Sequence, residues 1–309
     1  MKAYGLFKDK IYPFIENKTA TLLWGNGINN YINHSFIDQI PAESRIPAWK
    51  DLIKEVATKI GIKIDLDFGE KALSYPELFT LLSEHGANDI HKETAFYLAE
   101  KSLKKNEIAK VVADKMVEWH CPIITTNFDL VLENTLGLKS YRNGDGKSDK
   151  YPLNYFATFE GEAAKGINPQ RSFAIWHCNG AISKPVSMKL DLSDYCLYTA
   201  RLKEFLPLSS EKYKTKKQFE DSWLSPFYHN TLVIIGLGLP VSEIYLRWLL
   251  LERANTKRKD DSLVGEGYYI YAEEDSSITE GFKEYLKYVE IEPIGYPTWK
   301  EMYSDIFGI

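Results

Sequence analysis

Four short segments carry side chains able to act on a small molecule. "TTNFD" brings Thr126, the carboxamide of Asn127 and the carboxylate of Asp129 within four residues. A carboxamide pairs donor and acceptor atoms, so it can orient a sugar hydroxyl or a water. A carboxylate nearby adds negative potential where a cation develops. "WHCNG" contributes His177, and imidazole is the usual acid or base near neutral pH. "GNGIN" contributes Gly25, Asn26 and Gly27, and "GLGL" contributes Gly236 and Gly238, with Ser242 and Glu243 close behind. Glycines let a backbone approach a phosphate, and a following helix offers free N–H groups to an anion.

Each segment has a plainer alternative. A G-x-G can be only a tight turn. Asp129 can be a helix N-cap, Glu243 can favour a helix dipole, and a histidine at a strand end can be a core residue. Of six histidines, His177 alone ends a clear strand. Cys178 beside it suggests a Cys–His pair, but neighbouring strand residues point to opposite faces.

These segments share a position. "TLLW" (21–24), "PIITTN" (122–127), "FAIWH" (173–177) and "TLVIIGLGLP" (231–240) read as buried strands, and the chemistry-bearing residues follow their carboxyl ends. In open α/β sheets ligands bind there. "IPAWKDLIKEVATKIG" reads as an amphipathic helix stopped by Gly61, with Trp49, Leu52, Ile53 and Val56 at helical spacing. From about residue 70 to 120 the text is helical throughout, too long for one crossover, and implies an inserted helical subdomain. Residues 138–170 are polar and read as a long mobile loop. "GYYIYAEE", "ITEGFKEYLKYV", "EIEPIGY" and "TWKEMYSDIFG" alternate strand and helix to the end. The expected fold is one α/β domain over 1–309, with a doubly wound, mostly parallel sheet.

Composition bounds the partners. Hydrophobic residues make up 44% and charged residues 26%, enough for a sizeable core. A net charge of −5 argues against wholesale attraction to nucleic acid, and the basic runs at 212–217 and 257–260 read as solvated surface. Three cysteines without a C-x-x-C pair cannot make a four-cysteine zinc site, so no metal is expected. The opening residues hold no signal-peptide core, and no apolar run is long enough to span a membrane, so a cytoplasmic protein is expected.

Taken in order, the G-x-G loop, "P-x-W-x-x-L" (Pro47, Trp49, Leu52), "TTNFDLVLE", the His-x-x-Gly strand end, "KPVSMKL…DY" (Asp194, Tyr195) and "IIGLGL…SE" resemble the sirtuin-like NAD-binding family. The resemblance covers nearly the whole chain outside the helical insertion and the 138–170 loop. It implies a Rossmann-type sheet with NAD⁺ across its carboxyl edge. Asn127 and His177 would be the catalytic pair, and Asp129 would belong to the nicotinamide and ribose pocket. Gly25, Asn26, Gly27, Thr126, Gly236, Gly238 and Glu243 would contact the nucleotide. In that scheme Asn127 holds the ribose or the attacking water, and His177 activates one of them. The chain departs from deacetylating sirtuins in three ways. It lacks their four-cysteine zinc ribbon. It reads Gly-Asn-Gly-Ile-Asn where they read Gly-Ala-Gly-Ile-Ser. It places two residues between His177 and Gly180 where they have a direct His-Gly. The zinc-free form, the insertion and the tryptophan element resemble bacterial sirtuin-like effectors associated with anti-phage defence, which deplete NAD⁺. The expectation is a regulated NAD⁺ hydrolase, controlled by homo-oligomerisation or a separate partner protein. The alternatives are a protein deacylase or ADP-ribosyltransferase, a non-catalytic NAD-sensing module, and a Rossmann-like protein for another nucleotide.

Overall fold

The computed structural model describes residues 5–63, 73–85, 89–102, 107–143, 150, 152–206 and 217–309. Residues 212–216 of the first basic run lie outside them.

In chain order the elements are α1 (Leu6–Lys10), α2 (Tyr12–Glu16), β1 (Ala20–Trp24), α3 (Gly27–Ser35), α4 (Trp49–Lys59), α5 (Tyr75–His85), α6 (Ile90–Ser102) and α7 (Glu107–Trp119). Then come β2 (Ile123–Thr125), α8 (Val131–Leu136), β3 (Lys139–Arg142), β4 (Tyr155–Thr158), α9 (Glu160–Ala164) and β5 (Ile175–His177). The remainder is α10 (Leu192–Phe205), α11 (Lys217–Glu220), α12 (Leu224–His229), β6 (Thr231–Ile235), α13 (Ile244–Lys259), β7 (Gly267–Ala272), α14 (Glu280–Tyr288), β8 (Glu292–Tyr296) and α15 (Trp299–Phe307).

The strands form one sheet in the order β3-β4-β5-β2-β1-β6-β7-β8. From β5 to β8 every pairing is parallel. β4 runs antiparallel to both β3 and β5, so the sheet is mixed. Period-2 alternation divides the strands between two cores. Leu23, Ile124, Trp176 and Ile234 face α10, α12 and α13. Leu22, Trp24, Ile123, Ile175 and Ile235 face α3, α7 and α15. β1 and β6 are buried at every residue because both faces are covered.

Helix signals act as read. Gly61 sits at φ +77°, a conformation that favours glycine, and Ile62 N–H closes on Ala57 O at 2.9 Å beyond the end of α4. Ser74 bonds Glu77 through both its N–H and its hydroxyl at 2.6 Å before α5. Asp191 accepts from Asp194 N–H at 2.8 Å to cap α10.

Two parts of the chain differ from the expected organisation. The polar 138–170 stretch contains β3, β4 and α9 rather than a loop alone. β3 lies at the sheet edge with most of its "KSYR" side chains exposed, so it needs no apolar alternation to pair with β4. The three helices between residues 73 and 119 do not act as one unit. α5 and α6 pack with α4 around Phe79, Leu82, Ile53 and Val56. α7 instead buries Val112, Met116 and Trp119 against the sheet, as a crossover helix does.

Candidate functional site

β1 and β6 are neighbours, and their connections leave in opposite directions: β1 leads toward β2, and β6 toward β7. Their carboxyl ends are locked by glycine. Gly25 N–H donates to Ile235 O at 3.1 Å, and Gly27 N–H donates to Gly236 O at 2.7 Å. A Cβ at Gly25 would fall 2.3 Å from Gly236 O, and one at Gly27 would fall 2.7 Å from Gly236 Cα. Both positions must therefore be glycine for the loops to meet. Gly236 adopts φ +65°. A Cβ at Gly238 would meet only Pro240 Cδ, at an ordinary contact distance of 4.0 Å.

A cavity of about 800 Å³ opens above this lock, within the usual range for small-molecule sites. Asn26, Gly27, Thr126, Asn127, Asp129, Gly236, Gly238 and Glu243 all line it. Gly25 lies beneath the lining as part of the lock. At one end the helical unit closes over the cavity with Trp49, Leu52, Tyr75 and Leu98; the Trp49 and Tyr75 rings stack at 5.7 Å. At the other end are Tyr271 of β7, Asp275 from the turn after it, and Trp299 and Lys300 at the start of α15.

The TTNFD turn is held from below. Thr126 N–H donates to Trp24 O at 3.0 Å, and the Thr125 hydroxyl accepts from Asn127 N–H at 3.1 Å. Asp129 Oδ1 accepts from the N–H of Val131, the first residue of α8, at 3.1 Å, although the N-cap position itself is Leu130, and Asn29 Nδ2 donates to Oδ2 at 3.4 Å. Burial, with Glu133 nearby, pushes the Asp129 carboxyl up to about 6 despite that N–H.

His177 does not line this cavity. It faces the other side of the wall, beside Ile28, Val131 and Glu133. Its Nδ1 lies 2.6 Å from Asn127 O, and its Nε2 lies 2.6 Å from the buried Glu133 carboxylate. A carbonyl only accepts, so Nδ1 carries a proton and donates. Burial works against charge on His177, but Glu133, the Asn127 carbonyl and Asp129 outweigh it and raise its pKa. The reading of His177 as the base is corrected on this geometry: neither ring nitrogen is free to meet a ligand. It holds the Asn127 peptide in place.

The residue of "WHCNG" that does reach the cavity is Asn179, which is buried there. β5 ends at His177 and a turn begins at Cys178, so the strand alternation lapses. Gly180 completes the turn at φ +87°, where a Cβ would strike Ser187 O at 2.2 Å. The Tyr245 hydroxyl donates to Asn179 Oδ1, leaving the amide NH₂ for the cavity. Cys178 points into the opposite core, donates to Thr125 O at 3.2 Å, and is pushed by burial to about 12, so it is no nucleophile.

Glu243 stands at the N-cap of α13 but makes no cap bond. Its Oε1 accepts from the Tyr195 hydroxyl at 3.4 Å. Its Oε2 is closed off from solvent and has no hydrogen-bond partner. Burial pushes this carboxyl up to about 7, the Tyr195 hydroxyl offsetting it only slightly.

Sequence reasoning missed Asn179 and Glu133 as parts of the site. The direct Asn-Gly dipeptide and a lone acid inside the apolar "LVLENTL" were the available signals. Among the described residues no group of three or more His, Cys, Asp or Glu is placed to hold a metal ion, and no helix is long and apolar enough to cross a membrane. The described structure is thus a mixed α/β sheet protein with one large cavity at the carboxyl ends of its parallel strands. No protein-family model matches the chain, and a search of curated proteins finds no match.

Proposed function

We propose that this protein binds NAD⁺ across the carboxyl edge of its sheet and hydrolyses the bond between nicotinamide and ribose. One observation carries the reading. Numbered among themselves, the parallel strands run 3-2-1-4-5-6, the dinucleotide-binding order, and the cavity sits at the switch point with Asn127 and Asp129 on its wall. This is a Rossmann-like arrangement with an antiparallel edge. The start of α3, at Asn26 and Gly27, lines the cavity, and a helix start suits a phosphate.

The nicotinamide of NAD⁺ is a cationic leaving group. It departs without a proton, taking the bonding electron pair, and leaves an oxocarbenium-like ribose. Asp129 supplies negative potential for that cation. Asn127, its peptide clamped by His177, holds a ribose hydroxyl or the incoming water. Asn179 adds a second amide from the neighbouring strand end.

The test is nicotinamide and ADP-ribose release from NAD⁺ by purified protein. Asn127→Ala is expected to lower it by about a hundred- to a thousandfold with the fold intact. A loss under tenfold removes Asn127 from the chemistry. A second reading, a non-catalytic NAD-sensing module, draws on the position of His177 away from the cavity; NAD⁺ binding without release would favour it. Transfer of ADP-ribose to a protein acceptor predicts nicotinamide release without free ADP-ribose. Uncontrolled NAD⁺ hydrolysis would harm its host. Control through oligomerisation or a partner protein, a cytoplasmic location and a role in anti-phage defence therefore belong to the same proposal.

A further inference from the structure

Resting on the hydrolase reading, the geometry points to Glu243 as the general base of the site, the group that takes the proton of the attacking water. With His177 turned away and His34 exposed where it lines the cavity, the site still needs a buried proton acceptor. Asp129 is occupied by Val131 N–H and approached by Asn29. At the far end Glu274 accepts from Trp299 N–H and Asp275 from Ser277 N–H. Glu243 has one distant hydroxyl on Oε1 and nothing on Oε2. An orphaned buried carboxyl oxygen costs stability unless a ligand group completes it, and such groups cluster at functional sites.

Its placement fits the role. Tyr195 on α10 contacts Glu243, the Tyr195 and Tyr245 rings lie 5.8 Å apart, and Tyr245 holds Asn179. Glu243 therefore belongs to the same wall as Asn179, whose strand is hydrogen-bonded to the one leading into Asn127. The titratable groups around it are Tyr195 from α10, Cys178 from the turn after β5, and Tyr245 on its own helix. Arg247, one turn along α13, is directed to Leu239 O and stacks on Tyr285. A buried carboxyl with a pKa near 7 gives a base poised at the operating pH.

The step balances. Water oxygen bonds to ribose C1′ as the C–N bond breaks, and its electrons neutralise the pyridinium nitrogen. The water proton passes to the Glu243 carboxylate and later to solvent. The products are ADP-ribose, neutral nicotinamide and one proton.

The test compares wild type, Glu243→Gln and Glu243→Asp, measuring NAD⁺ binding by calorimetry and nicotinamide release across pH. Gln matches the protonated acid in shape, so the fold is expected to survive. Wild-type kcat should rise with pH through about 7, as the carboxylate forms. Glu243→Gln should bind NAD⁺ with little change, lose about a hundredfold or more in kcat, and lose the rising limb. Glu243→Asp should regain part of the limb. A Gln variant that keeps the limb and loses less than tenfold overturns the base assignment and leaves the hydrolase standing. Wild-type protein that binds NAD⁺ but releases no nicotinamide at any pH overturns both.

Discussion

Two layers meet at the ends of β2 and β5, and they treat buried charge in opposite ways. Behind the wall, His177 and Glu133 satisfy one another, and the histidine's second nitrogen is bound to Asn127 O. In front, burial pushes the Asp129 and Glu243 carboxyls upward, and Glu243 Oε2 has no hydrogen-bond partner. A paired buried charge is a fixture that sets geometry. An unpaired one is stored readiness to bind or to move a proton. The glycines divide similarly. Gly25 and Gly27 are fixed by contact with the Gly236 backbone, while a Cβ at Gly238 would meet only Pro240 Cδ at an ordinary contact distance. The difference teaches that a residue type capable of chemistry acquires it only where its polar atoms are left uncommitted.

The sharpest way to break this division is steric. Gly25→Val would drive a side chain into the Gly236 carbonyl, between two central strands that cannot separate. A destabilisation above about 4 kcal/mol, or failure to fold, is expected. Gly238→Val should leave the unfolding midpoint nearly unchanged and abolish NAD⁺ binding by filling the cavity. Equal losses of stability from the two changes would mean that the loops are one structural unit without a ligand face.

The next effect falls on the pair behind the wall. His177→Ala strands the Glu133 carboxylate in a dry setting, and the expected cost is about 3–5 kcal/mol in denaturant unfolding. Double replacement of His177 and Glu133 by apolar residues should cost less than the two single losses added together. Should His177→Ala lose turnover while retaining full stability, the ring must leave Glu133 and enter the cavity during the reaction.

How much of this was legible beforehand follows from what each residue needed. Strands at the centre of the sheet announced themselves, because burial on both faces demands continuous apolar text such as "TLVII". The edge pair β3 and β4 did not, because an edge strand tolerates polar side chains. Seven of the cavity-lining positions after the first, second and fourth of those strands were readable together with Gly27, since turn residues and polar seams mark carboxyl ends. The choice between His177 and Asn179 was not readable. It depends on where β5 stops and on a turn that only Gly180 permits, and a one-residue change in that boundary reverses which side chain faces the ligand. Glu133 was hidden because its partner lies 44 residues away.

The smallest expected effect concerns how the helical unit is held above the wall. His91 at the start of α6 bonds Asp194 at the start of α10 at 2.7 Å, and Asp194 also accepts from Leu190 N–H. Burial opposes charge on His91, but Asp194 outweighs it and raises the histidine's pKa. Burial likewise opposes ionisation of Asp194, but His91 and Lys189 lower its pKa. The signs define a window. A raised histidine stabilises fully below its unfolded value of 6.5 and loses that contribution as pH rises through the folded value. A lowered aspartate stabilises fully above 3.8 and loses its contribution as pH falls through the folded value. The clasp is therefore strongest between those two pH values. Because both side chains are largely buried but not sealed, His91→Gln should cost only about 1 kcal/mol at pH 6 and less at pH 8.5. Hydrogen exchange in α5 and α6 should rise in parallel. An equal cost at both pH values would mean that the imidazole acts there by shape and hydrogen bonding alone, and that charge plays no part in closing the cavity.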